Sequence, residues 1–110
     1  MATKNRTLGK TLTASNTDVY TVPARYVAYV SSILIANETA STKTVSLDWY
    51  DSATTTFYTI CEATPIDGNS IIQITDSLIL QANDKIRGLA SATSSVTVSV
   101  KVEEQYLTAL

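Results

Sequence analysis

Residues Arg25–Asn37 read RYVAYVSSILIAN, and this run decides the fold. It is rich in β-branched and aromatic residues, which favour a pleated, half-buried strand. Pro23 stands just ahead of it, where a missing N–H costs no ladder bond. Read at a constant period of two, both faces of the strand are apolar. One row holds Val27, Tyr29, Ile33 and Ile35; the other holds Tyr26, Ala28, Val30, Leu34 and Ala36. A strand in a small two-layer protein buries one face and wets the other. The second apolar face therefore predicts a cover from outside the chain. Either Tyr26, Val30 and Leu34, or Val27, Tyr29 and Ile33, are expected against another subunit.

The same period runs through the rest of the chain. Val96, Val98, Val100 and Val102 alternate with Thr97, Ser99, Lys101 and Glu103, the pattern of a half-buried antiparallel strand. Val45, Leu47 and Trp49 alternate with Ser46 and Asp48 in the same way, which places Trp49 toward the core. Further strands are predicted at residues 7–14, 18–22, 55–62, 70–75, 78–80 and 85–90. Turn residues separate them: Asp51-Ser52-Ala53-Thr54, Asp67-Gly68-Asn69 and Gln81-Ala82-Asn83-Asp84. The only candidate helix is the short tail after Glu103. About eight strands at roughly ten-residue spacing predict an all-β, single-domain antiparallel sandwich, jelly-roll-like or immunoglobulin-like.

A chain of 110 residues supports one modest core. Its net charge is −2, which argues against a general nucleic-acid binder, since such a protein needs a basic surface to displace counterions. The charge is unevenly placed. Lys4, Arg6 and Lys10 fall in the first ten residues, which hold no acid. Residues 1–12 are therefore read as a basic arm, either docking on an acidic neighbour or fraying as a solubilising terminus, with the sandwich spanning 13–110. The first ten residues lack the apolar core of a signal peptide, and no stretch is long and apolar enough to cross a bilayer. No membrane role is expected.

The chemistry-bearing residues are few. The chain has no histidine, the commonest general base and metal ligand. Cys61 is the single cysteine, and it reads as a small core residue without a base to activate it. Asp48, Asp51 and Glu62 lie near hairpin ends, where solvated turn chemistry is their ordinary use. Asp67 and Asn69 carry oxygen ligands at a spacing that matches no calcium loop. No catalytic residue, metal or cofactor is therefore expected. Six tyrosines and Trp49 suit a core or a subunit interface better than a sugar-stacking surface.

Four segments carry a resemblance: VYTVPA at 19–24, ILIAN at 33–37, LILQANDKI at 78–86 and the alternating valines at 96–102. Together they resemble small β-sandwich proteins encoded among the structural genes of tailed bacteriophages. That family often has Gly after the Pro-Ala step, where this chain has Arg25. The resemblance implies a tight turn at Asn83-Asp84. It also implies a virion structural protein made in the host cytoplasm, most readily a capsid cement or decoration subunit that bridges major capsid proteins as a homotrimer. A tail, neck or fibre component is the alternative within that class, and a carbohydrate-binding module is the alternative outside it. Lys4, Arg6, Lys10, Tyr26, Val30 and Leu34 are the interface candidates under this reading.

Overall fold

The computed structural model describes residues 3–107. Nine strands follow one another: β1 (Thr3–Thr11), β2 (Thr17–Thr21), β3 (Tyr26–Asn37), β4 (Lys43–Asp51), β5 (Thr56–Ile66), β6 (Ile71–Ile74), β7 (Leu78–Leu80), β8 (Lys85–Ala90) and β9 (Val96–Tyr106). One sheet has the order β1-β9-β3-β6, with β7 also pairing β3; the other has the order β2-β8-β4-β5. All pairings are antiparallel. The polar triplet Thr75-Asp76-Ser77 interrupts what is otherwise one strand along β3. Counting β6 and β7 as one, the first strand pairs the eighth, the second the seventh, the third the sixth and the fourth the fifth. That is a long hairpin rolled into two sheets, the jelly roll. The immunoglobulin connectivity, left open by alternation alone, is not the one adopted.

The core follows from the period-two pattern. Val96, Val98, Val100 and Val102 of β9 are all buried, and they join Val45, Leu47 and Ile86 of the facing sheet, with Val22 just beyond β2, in one cluster. Burying a side chain of this kind stabilises the fold by about 1.5–3 kcal/mol.

β3 does not keep a constant phase. Its pairing with β9 shifts between Val30 and Ser32, leaving Ser31 as the extra residue of a bulge. A bulge moves every later side chain to the opposite face. Before it, Ala28 and Val30 point inward; after it, Ile33 and Ile35 do, and all four are buried in the core. Neither expected row is therefore a single face. Val30 and Ile33 are core residues and are not available to another subunit. The outward set is Val27, Tyr29, Leu34 and Ala36.

Two further expectations change. Residues 3–11 are not a free arm: they pair with β9 along their whole length, as the edge strand of the first sheet. The backbone ladder holds them although nearly all their side chains are exposed. The tail after Glu103 continues β9 as a strand as far as Tyr106. Residues 108–110, the rest of that candidate helix, lie outside the described residues.

Two buried polar side chains hold the loops at opposite ends of the sandwich. Asn37 Nδ2 donates to the carbonyls of Ser41 and Ile66, each at 2.9 Å, while its Oδ1 accepts from Thr39 N and Thr39 Oγ1. Asp84 accepts from Ser52 N, Ser52 Oγ and Gln81 N at 2.8–2.9 Å. These are the residues of the ILIAN and QANDK segments, so their physical content is loop closure.

Several non-glycine residues adopt the left-handed conformation. Asn69 and Asn83 do so at turns, where asparagine tolerates it. Arg25, with φ 69°, occupies the position where glycine would relieve the crowding. Ala63, with φ 45°, sits in the irregular middle of β5 with its side chain exposed. Its N–H donates to Ser46 Oγ, a bond that any residue keeps. Ala63→Gly should therefore raise stability by about 1 kcal/mol, since the left-handed penalty is removed and no packing is lost. A lower urea midpoint for that variant would contradict the strain assigned to Ala63.

Candidate functional site

The outer face of the first sheet stands out by what it lacks. Residues opposite each other in an antiparallel ladder share a face, so the register places every exposed row. On β1 the outward residues are Thr3, Asn5, Thr7, Gly9 and Thr11, none of them charged. On β9 they are Thr97, Ser99, Lys101, Glu103 and Gln105. On β3, Tyr29 is 38% exposed and Leu34 is 37% exposed. Ile79 stands opposite Tyr29 and is 59% exposed; Ile71 stands opposite Ala36 and is 62% exposed. One cation and one anion thus serve a whole face, with an apolar strip along its β3 side.

The opposite outer face is an ordinary wet surface. Lys85 pairs Asp18 at 3.4 Å and Arg87 pairs Asp48 at 3.2 Å. Arg87 also lies 3.5 Å from the centroid of the Phe57 ring, and Phe57 packs beside Tyr50. Asp51 accepts from Ala53 N in its turn, and Glu62 is exposed. Asp48 and Asp51 are thus engaged with different partners. Among the described residues, no three of His, Cys, Asp and Glu are grouped as a metal site requires.

The basic residues of β1 point away from the apolar strip. Arg6 Nη1 lies 3.3 Å from both carboxylate oxygens of Glu104, and Lys4 Nζ lies 3.8 Å from one of them. Lys4 also sits over the ring of Tyr26, which packs edge-on against Tyr106. Lys10 is exposed on the same side of β1. Of the interface candidates, only Leu34 therefore lies on the charge-poor face.

Glu104 is a residue that the motif reading passed over. It is fully buried, one step beyond Val102 on the inward row of β9. The signal was present: extending the valine alternation by two residues lands on it. Its carboxylate accepts from the hydroxyl of Tyr20 on the facing sheet, so one anion joins β1, β2 and β9. Burial, the hydrogen bond to Glu104 and its negative charge push the Tyr20 hydroxyl well above the usual tyrosine range, against a weaker opposite pull from Arg6. The folded state therefore holds this proton more tightly than the unfolded state does. Its contribution is complete below about pH 10 and is lost as pH rises beyond that. Wild type should lose up to about 1.4 kcal/mol per pH unit above pH 10 that Tyr20→Phe does not lose. Urea unfolding at pH 9 and pH 11 measures the difference, and parallel losses in the two proteins would count against it.

A cleft of about 420 Å³ opens between β5 and the β6–β7 edge. Ile35, Val45, Ile60, Ile72 and Ile74 line it, with Trp49 and Cys61. Cys61 is half-buried there, with Sγ 3.9 Å from the carbonyl of Val45. Trp49 packs against the core as expected, and Tyr58 stacks on one face of its ring at 5.1 Å. That face is already occupied and offers no platform for a sugar.

No protein-family model matches the chain, and no curated protein does. Solved structures do match. A chain of the Bacillus endospore appendages, described as disulfide-linked pili, superposes with a TM-score of 0.61 at 15% identity, covering 97% of this chain and 88% of that one. A chain of the acid-stable capsid of Helicobacter pylori bacteriophage KHP30 superposes with a TM-score of 0.57 at 10% identity, covering 100% of this chain and 92% of that one. At such identities the likeness shows the fold alone: this chain is an antiparallel β-sandwich of the architecture found in those two assemblies.

Proposed function

We propose that this protein is a structural subunit of a phage virion and that it assembles through the outer face of its first sheet. The observation that carries the reading is that face: a full sheet surface with one cation, one anion and an apolar strip containing Tyr29, Leu34, Ile71 and Ile79. Depletion of charge with enrichment of aromatic and aliphatic residues distinguishes the cores of interfaces from ordinary surface. The resemblance at residues 19–24, 33–37, 78–86 and 96–102 and the likeness to a phage capsid chain support the virion setting. Within it, a capsid cement or decoration role suits a compact subunit with no catalytic set in view, since such a subunit works by adding buried area between neighbours. The major capsid protein is then the partner, and a homotrimer suits a local three-fold position. A subunit of a pilus-like appendage is the second reading, favoured by the likeness to the endospore appendage chain.

The experiment is to co-express a tagged chain with the remaining virion proteins and image the purified particles. The tag is expected on the capsid surface, and Leu34→Asp should remain folded yet be lost from particles. A folded wild-type chain absent from particles would overturn the virion reading, and its appearance in filaments would support the appendage reading.

A further inference from the structure

We infer that the charge-poor face binds a second copy of the same chain about a two-fold axis; this rests on the outer face being the assembly surface. Among the described residues, the strands bring only two charges to this face. Lys101 and Glu103 lie two residues apart on β9, both outward, about 7 Å from each other along the strand. Neither belongs to an ion pair among the described residues. A two-fold axis in the plane of the face, perpendicular to β9 and level with Val102, sets Lys101 of each copy opposite Glu103 of the other. Two facing sheets stand about 10 Å apart, a gap that these two side chains span.

The same rotation sets the β3 part of the apolar strip against the β3 part of the other copy's strip. β3 faces β3 of the other copy, and each level on β9 maps to the level equally far beyond Val102. Tyr29, level with Glu103, meets the level of Lys101, where the bulge presents Ser31 and Ser32. The largest side chain of the strip therefore faces two small serines. Leu34, level with Ser99, meets Val27, level with Gln105. Strand spacing and rise give the overlapping part of the face, from the level of Val98 to that of Tyr106, about 550 Å², below the roughly 800 Å² per partner of a standard interface. A three-fold would join this patch to a different one, whereas a two-fold needs a single patch that complements itself. The surface pattern favours a pair over the trimer.

Sedimentation of the full chain over a range of concentrations tests the pairing. Wild type is expected to show twice the monomer mass. Lys101→Glu alone, or Glu103→Lys alone, places like charges together at two symmetric points and should weaken pairing by at least about tenfold. The double variant Lys101→Glu/Glu103→Lys should restore it, as should an equimolar mixture of the two single variants. Both sites are on the surface, and unchanged circular dichroism would show that the fold is retained. A monomeric wild type overturns the inference, as does failure of both the double variant and the mixture to restore pairing. If wild type is monomeric while Leu34→Asp is still lost from particles, the face belongs to a different virion protein; the two-fold then fails and the virion reading stands.

Discussion

Asn37→Asp is expected to destabilise the domain by about 3–5 kcal/mol, a large part of the roughly 5–15 kcal/mol that holds a domain of this size folded. The substitution is nearly isosteric, so the loss is electrostatic. The wild-type amide nitrogen donates to Ser41 O and Ile66 O at 2.9 Å, with Asp67 O at 3.3 Å. A carboxylate oxygen in that place meets carbonyl oxygens with no donor between them, in a site closed to water. Asn37→Ala should cost less, about 2 kcal/mol, because it removes the bonds without adding a charge. Urea unfolding ranks the two. If the alanine variant proves the weaker one, the carbonyl cage is not what selects asparagine here. The same corner tolerates little movement: a Cβ on Gly68 would lie 2.3 Å from Ala40 O, so the loop that caps Asn37 is closed by backbone against backbone.

Asp84→Ala should cost about 3 kcal/mol, measured in the same way. A carboxylate that accepts three hydrogen bonds at 2.8–2.9 Å is satisfied by charge-assisted donors. Truncation leaves Ser52 N and Gln81 N without that acceptor and frees the β4–β5 hairpin from the β7–β8 turn. The backbone of the turn also bonds the end of β2, with Val22 N donating to Asp84 O at 2.9 Å and Asn83 N donating to Val22 O at 3.0 Å. Three connections therefore loosen together. Asp84→Asn should lose about half as much, since one oxygen keeps both Ser52 bonds while the amide faces the Gln81 N–H. Equal losses for Ala and Asn would mean that the charge alone, and not the acceptor geometry, matters at this position.

The strands were legible because they follow period two: the four valines of β9 and the turn at Asn83-Asp84 stand where alternation and turn chemistry place them. The topology was not legible, since alternation is blind to which strand pairs with which; the jelly roll is set by long-range pairs such as β1 with β9. The face assignment on β3 failed at one residue. Ser31-Ser32 interrupts an otherwise apolar run, and a pair of small polar residues at mid-strand is where a phase change is cheapest. Residues 1–12 read as an arm because Lys4, Arg6 and Lys10 look like solvated charge. Arg6 and Lys4 instead turn inward to Glu104, and that acid was hidden by the habit of ending a hydrophobic row at its last valine. Leu34 and Tyr29 stand on the long β3, where alternation marks a face on each side of the bulge, whereas Ile71 and Ile79 stand on short edge strands with too few residues to fix one.

The rolled pairing also has a kinetic consequence. Among the described strands β1 comes first in chain order and its ladder partner β9 comes last. The first sheet therefore cannot close before β9 has been made, and β1 lacks its ladder partner until then. Closing so large a loop places refolding among the slow, non-local β topologies, in the millisecond-to-second range. During that wait Lys4, Arg6 and Lys10 keep the open strand soluble by mutual repulsion, and two of them then settle against Glu104 when the roll closes.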